Sequence, residues 1–308
     1  MTCLYCYKES ESDFHPGCSK KLFGTTTPPI VPYTKNDLLI LAEQMIKGRA
    51  TVTGVQPKLS LHIEKPTNEP EKLTIVGLWG AYILKPQSPT WAELPQIEDV
   101  TMHLAQLSKI RTAEHSLIRL SSGELAYITK RMDRNAGEKI HMEDMCQLLG
   151  RLTEDKYKSS HEQIAKEIKR SSIHPGLDLV RFYELTLFSF LTGNADMHLK
   201  NFSLIKNEQG HYELAPAYDL VATALVVEGD DEELALTLCG KKKRLRNSDF
   251  LNAMTTSGIP QKAAENILHK YSKLLYTWKE FIHRSLLSQE MKQAYGQLIE
   301  SKHQQLYG

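Results

Sequence analysis

Gly193-Asn194-Ala195-Asp196-Met197-His198-Leu199-Lys200-Asn201-Phe202-Ser203 is a polar loop set between two apolar segments. Upstream of it, Leu179, Phe182, Tyr183, Leu185, Thr186 and Ser189 follow helical spacing, which predicts a loop hung on a rigid support. Downstream, Phe202 to Ile205 and Leu234 to Leu238 read as short strands. From Met142 onward the pattern is helical, with Met145, Leu148, Leu149 and Leu152 in register. Earlier in the chain, Leu59 to Ile63 alternates apolar and polar residues, as a half-buried strand does. Leu73 to Leu78 and Ala81 to Leu84 predict two more strands joined near Gly80, and Ser116 to Leu120 with Leu125 to Lys130 predict a hairpin around Ser121-Ser122-Gly123. Two helices are expected among them, Asn36 to Lys47 with Asn36 as its cap, and Trp91 to Leu107. The chain is therefore predicted to be α+β: a Cys/His unit over 1–24, a β-rich lobe over 25–135 and an α-helical lobe over 136–308, with room for a cleft between two lobes.

Composition narrows the function classes. In 308 residues, 41% hydrophobic and 24% charged is the balance of a globular chain with a sizeable core. A formal net charge of +1 gives no global electrostatic case for binding nucleic acid or membrane. The N-terminus lacks a basic region followed by an apolar run, and the most apolar stretch, near Leu185 to Leu191, is too short to span a bilayer. The reading is cytoplasmic. The five cysteines agree, because three cluster in a pattern suited to metal and Cys146 and Cys239 stand alone.

Asp196 and Asn201 have the D-x-x-x-x-N spacing of a phosphotransfer loop, in which the aspartate accepts the proton of a substrate hydroxyl and the asparagine oxygen holds a metal ion. Asp219, beyond a predicted β-hairpin, is the second metal carboxylate; magnesium favours such oxygens. Aspartate and asparagine also cap helices and make turns, so the spacing alone is weak. Phosphates need cations as well. Lys85 ends a strand and Glu98 on the following helix is its candidate partner, while Thr53-Gly54-Val55-Gln56-Pro57-Lys58 is a candidate phosphate loop. Taken singly, these are also an exposed strand-end lysine, a solvated glutamate and an ordinary turn.

Together the motifs resemble the HipA-like serine/threonine kinase family. They are Gly54-Val55-Gln56-Pro57-Lys58, Ile83-Leu84-Lys85-Pro86, Lys130-Arg131-Met132-Asp133-Arg134, Glu143-Asp144-Met145-Cys146-Gln147, Gly193 to Ser203 and Ala215-Pro216-Ala217-Tyr218-Asp219. The resemblance implies a protein-kinase-like two-lobe fold with a β-rich N-lobe and α-helical C-lobe. It implies an ATP- and Mg2+-dependent toxin of a bacterial toxin–antitoxin system that phosphorylates a protein such as an aminoacyl-tRNA synthetase. Asp196 would be the base and Asn201 with Asp219 the magnesium pair. Lys85 would touch the phosphates, Lys130 and Met132 the adenine through backbone groups, and Asp133 the ribose. His198, Lys200 and Tyr218 would lie near the nucleotide. Thr51 and Thr53 stand where the family carries an inhibitory autophosphorylation site, usually serine; a phosphate there would bring about −1.5 to −2 charge. The chain resembles short members such as HipT, which implies a small HipS-like partner and a HipB-like DNA-binding antitoxin, with DNA reached only through the antitoxin.

Cys3-x2-Cys6-x8-His15-x2-Cys18 has the ligand types and paired spacing of a zinc site, and the alternative is a small turn with buried or free thiols. Lys241-Lys242-Lys243-Arg244-Leu245-Arg246 is a basic run that reads as a solvated turn before it reads as a nucleic-acid patch. Two other functions fit the same residues. One is a nucleotide-binding pseudokinase that acts as a co-repressor with a DNA-binding antitoxin. The other transfers AMP in place of phosphate.

Overall fold

The computed structural model of the chain describes residues 1–46, 57–67, 69–77, 79–135, 138–227, 229 and 231–308. Its internal contacts form two units, Met1–Asp99 with Ala113–Gly137 and Val100–Thr112 with Glu138–Gly308. The Cys/His segment thus belongs to the same unit as the strands that follow it. Residues 100–112 belong to the second unit, whereas the sequence reading divides the chain only at 24 and 135.

The first unit holds α1 (Pro16–Phe23), α2 (Lys35–Ile46) and the strands β1 (Leu59–Glu64), β2 (Lys72–Ile75), β3 (Tyr82–Lys85), β4 (His115–Arg119), β5 (Leu125–Lys130) and the short β6 (Arg134–Asn135). The helix α3 (Leu94–Leu107) begins in it and ends in the second unit. Five strands make one sheet in the order β2-β1-β3-β5-β4, every pairing antiparallel. Alternation sets the register: Leu59, Leu61, Leu73, Leu84, Ala126 and Ile128 are all buried. β3 is the middle strand, with Leu61 opposite Tyr82 and Leu84 opposite Ile128. Gly80 lets the chain pass close to β1. A Cβ there would lie 2.6 Å from the Leu61 backbone nitrogen and oxygen.

The second unit contains β7 (Glu138–Lys139), β8 (Met142–Asp144), α4 (Met145–Leu148), α5 (His161–Ser171), α6 (Pro175–Leu191), β9 (Ser203–Lys206), β10 (Tyr212–Leu214), α7 (Asn247–Thr256), α8 (Gln261–Ser272), α9 (Leu275–Arg284) and α10 (Gln289–Tyr307). Its core forms around α6, which is buried on nearly every side. Phe182 meets Phe202, Phe188 meets Trp278 and Phe190 meets Phe250, with ring centroids 5.2, 5.7 and 5.3 Å apart. Each such ring contributes about 1.5–3 kcal/mol by leaving water. The strands β10-β9-β8 form a small antiparallel sheet. Among the described residues no helix is long and apolar enough to cross a membrane.

Several local expectations are corrected. Asn36 does not cap α2. The Thr34 hydroxyl accepts from the Asp37 N–H at 3.1 Å and the Asp37 carboxylate accepts from the Thr34 N–H at 2.8 Å, a reciprocal cap that starts the helix one residue earlier. The segment after Met142 is a three-residue strand followed by one turn of helix, because Asp144 caps α4 where β8 ends. Leu234 to Leu238 is no strand. Its leucines are buried, but only isolated bridges occur there, Ser160 with Thr237 and Leu238 with Lys241. Apolar alternation reports burial, and here the burial is that of a packed loop. β2 ends at Ile75, and Leu78 lies outside the described residues.

Candidate active site

In the first unit, the register of β3 and the start of α3 bring Lys85 and Glu98 together. The Lys85 ammonium donates to Glu98 Oε1 at 2.5 Å, and the two side chains are 4% and 0% exposed. The Tyr127 ring on β5 lies under the ammonium at 5.3 Å. Past β5 the chain turns at Met132. There Arg131 makes a two-pronged contact with the Asp133 carboxylate at 2.9 and 2.7 Å, and Arg134 adds a third bond at 2.7 Å. Burial works against ionisation of Asp133, but the two guanidinium groups outweigh it and hold the carboxyl below its usual range. The Lys130 N–H donates to the Glu114 carbonyl at 2.8 Å. Pro57 is half-buried and Lys58 exposed just before β1, whereas Thr51, Thr53, Gly54, Val55 and Gln56 lie outside the described residues.

In the second unit the loop hangs from α6. The helix ends at Leu191, and Gly193 turns the chain at φ +69°, where a Cβ would lie 2.7 Å from Leu298 Cδ2. The Ala195 N–H then donates to the Thr223 hydroxyl at 2.9 Å. Asp196 is exposed, and the Tyr157 hydroxyl donates to its Oδ1 at 2.6 Å. The turn closes with the His198 N–H on Asn201 Oδ1 at 3.3 Å and the Asn201 N–H on the His198 carbonyl at 2.9 Å. The Asn201 amide donates from Nδ2 to Asp219 Oδ2 at 3.3 Å. An amide oxygen has two lone pairs, so one on Asn201 remains beyond the His198 bond. Asp219 sits at φ +59°, a left-handed conformation that costs a non-glycine residue about 1–2 kcal/mol. The hairpin of β9 and β10 spans the gap between Asn201 and Asp219, with Leu204 opposite Leu214.

Two further side chains brace the loop. β8 pairs with β9 so that Asp144 stands opposite Ser203, and its carboxylate takes the Lys200 ammonium at 2.8 Å. The Tyr218 hydroxyl donates to the Lys200 carbonyl at 2.8 Å and lies 2.6 Å from the Ser203 hydroxyl; burial raises its pKa. Burial lowers the pKa of His198, partly countered by Asp196 and Asp219. Its imidazole is therefore neutral near pH 7, edge-on to Tyr157 at 5.1 Å.

The sequence reading did not find Tyr157, Tyr127 or the Asp144–Lys200 bond. Asp144 lay inside a motif with a signal of its own, but no spacing links Tyr157 to Asp196 across 39 positions. The three lysines of the basic run are paired locally: Lys241 with Asp249, Lys242 with Glu232 and Lys243 with Asp231. Separately, the structure gathers Cys3, Cys6, His15 and Cys18, whose ligand atoms all lie within 4.8 Å of one another.

The family model described as the HipA-like C-terminal domain matches residues 50–278. The chain belongs to the HipA-like family. It is 31% identical over 195 residues to "Putative kinase Y4dM" of Sinorhizobium fredii, covering 59% of this chain and 47% of that protein. It is 30% identical over 211 residues to a Haemophilus influenzae "Putative kinase", covering 64% and 59%. To the "Serine/threonine-protein kinase toxin HipA" of Shewanella oneidensis it is 30% identical over 216 residues, covering 62% and 47%. The chain thus spans 47–59% of the length of these relatives. Among solved structures, the Shewanella oneidensis HipA in complex with HipB and its operator DNA superposes with a TM-score of 0.72 at 22% identity, over 89% of this chain and 71% of that one. The Helicobacter pylori proinflammatory kinase CtkA does so with 0.56 at 15%, over 80% and 93%. The HipA-like fold is α+β and kinase-like, as the sequence motifs implied. For magnesium the donor set fits: the pair at Asn201 and Asp219 offers hard oxygens and no thiolate or imidazole.

Proposed function

We propose that the chain is an ATP- and Mg2+-dependent serine/threonine protein kinase. The observation that carries this reading is the buried Lys85–Glu98 pair. Burying two opposite charges costs several kcal/mol per ion, and apolar residues of similar volume would serve stability as well or better. A phosphotransferase has a use for the pair, because the carboxylate aims the strand lysine at nucleotide phosphates. Asp196 takes the proton of the acceptor hydroxyl; Tyr157 holds one of its oxygens and so orients the other. Asn201 and Asp219 hold the metal, and Asp144 fixes Lys200 beside them. Bound ATP and magnesium supply the phosphoryl group and neutralise its charge.

The acceptor in this reading is a hydroxyl of a translation-related protein such as an aminoacyl-tRNA synthetase, and the chain is the toxin of a HipA-like toxin–antitoxin system. Autophosphorylation at Thr51 or Thr53 restrains it. Partners are a HipB-like DNA-binding antitoxin and a small HipS-like protein. The Shewanella structure, whose HipA accompanies HipB and operator DNA, supports the first of these. The locally paired lysines of 241–243 favour DNA contact through the antitoxin alone.

Intact mass after incubation with ATP and magnesium tests the reading. The wild type gains a phosphate increment and Asp196→Ala does not, and γ-labelled but not α-labelled ATP transfers its label. A wild type that binds ATP–magnesium yet labels neither itself nor any lysate protein would overturn the proposal in favour of a nucleotide-binding co-repressor.

A further inference from the structure

The Cys/His segment plays no part in the proposed chemistry, yet it is built in detail. A short bridge pairs Thr2 with Glu9, and the loop between them closes through the Cys3 N–H on the Lys8 carbonyl and the Tyr7 N–H on the Cys3 carbonyl, both 2.9 Å. Cys3 and Cys6 come from this loop. His15 and Cys18 come from the start of α1. His15 Nδ1 lies 3.4 Å from the Cys6 sulfur and 3.8 Å from the Cys18 sulfur. Tetrahedral zinc, with bonds of about 2.3 Å to sulfur and 2.0–2.1 Å to nitrogen, needs ligand separations of about 3.6 Å for S···N and 3.8 Å for S···S.

The second histidine nitrogen gives an independent indication. His15 Nε2 lies 2.9 Å from the Glu9 carbonyl oxygen. A carbonyl only accepts, so Nε2 carries the hydrogen, and the lone pair of the neutral ring is left on Nδ1, facing the thiols. That is how an outer carbonyl fixes the tautomer of a metal-ligating histidine. All of the cysteines are free thiols.

The segment also touches both elements that carry the buried ion pair. From the loop, the Tyr7 hydroxyl donates to Asp99 Oδ2 at 2.5 Å. Asp99 is the residue after Glu98 on α3, and its other oxygen binds His115 Nδ1 at 2.8 Å. From α1, Phe23 packs on the Tyr82 ring at 5.8 Å, and the Tyr82 hydroxyl donates to the Leu22 carbonyl at 3.1 Å. Tyr82 lies on β3, three residues before Lys85. Tyr7 itself sits at φ +60°, a conformation that the closed loop imposes on it.

We propose that Cys3, Cys6, His15 and Cys18 bind one Zn2+, and that the metal-closed segment positions Lys85 and Glu98 by holding β3 and α3. The second half rests on the kinase reading only for its effect on activity. Binding releases the thiol protons to solvent, and the three thiolates with neutral His15 form a Cys3His site.

Metal content of the full chain, purified with zinc present, tests the first half without reference to activity. One zinc per chain is expected, and cobalt in its place should give thiolate charge-transfer and tetrahedral d–d bands. Cys6→Ser should lose both, and His15→Cys, which keeps four ligands, should retain the metal. A wild type with no bound zinc and no cobalt spectrum overturns the site. Hydrogen exchange at the amides of Gln96 to Asp99 tests the second half. Chelation of the metal, or Tyr7→Phe with zinc retained, should speed exchange there by about tenfold, as local opening does. Unchanged exchange overturns the coupling. If the wild type proves not to be a kinase, the zinc and exchange results stand on their own. If it is one, Tyr7→Phe should slow autophosphorylation while zinc stays bound, because the hydroxyl it removes holds Asp99 beside Glu98.

Discussion

Lys85 and Glu98 show at the level of single residues why a pair must be judged by its surroundings. Read singly from the sequence, each is better placed on a solvated surface, and only their joint burial gives them a role. Removing one partner leaves an uncompensated buried charge. Glu98→Gln or Lys85→Met should therefore destabilise the first unit by about 3–5 kcal/mol. The double variant Lys85→Met with Glu98→Leu should recover most of that loss and still show no phosphoryl transfer. Urea denaturation beside the mass assay separates the two effects, and a double variant as unstable as the singles would count against the argument. Asp196, Asn201 and Asp219 were legible as types at a spacing. The Tyr157 and Asp144 contacts were not, because each depends on a partner dozens of positions away.

Among the elements, α6 and the turn after it matter most for the candidate site. The helix was legible because Leu179, Phe182, Tyr183, Leu185, Thr186 and Ser189 recur at helical spacing. The turn was legible as a glycine followed by polar residues. What the sequence did not carry was the crowding at Gly193, which arises from Leu298 on α10. Gly193→Ala should cost about 1–3 kcal/mol, combining a left-handed φ with the contact to Leu298. Adding Leu298→Ala relieves the contact and leaves the φ cost, so the double variant should lie closer to a Leu298→Ala control than Gly193→Ala lies to wild type. Thermal or urea unfolding measures both. The mistaken strand at Leu234 to Leu238 and the mistaken cap at Asn36 have one cause. Burial and capping groups are chosen by neighbours in space, and a local pattern shows only that a segment could supply them.

For the molecule as a whole, stability in acid offers a test that does not involve catalysis. His161 in the second unit is fully buried, and burial pushes its pKa down to about 4. In the unfolded chain the ring takes its proton near pH 6.5. Between those values the unfolded state holds the extra proton, so the contribution of His161 is complete above about pH 6.5 and is lost as pH falls toward 4. The loss amounts to about 3 kcal/mol. Denaturant titrations from pH 7 to 4 should show it, and His161→Gln, which cannot titrate, should flatten that part of the profile. By itself the sequence determined the α+β order of elements, the core helix, the residue types of the loop from Asp196 to Asn201 and the four candidate metal ligands. All of these are properties of periodicity and spacing along the chain. Only the tertiary structure decided which side chains meet: Tyr7 with Asp99 across 92 positions, Tyr157 with Asp196 across 39, and Lys200 with Asp144 across 56. Such contacts depend on strand register and on how far each backbone turn carries the chain, and no local pattern encodes either.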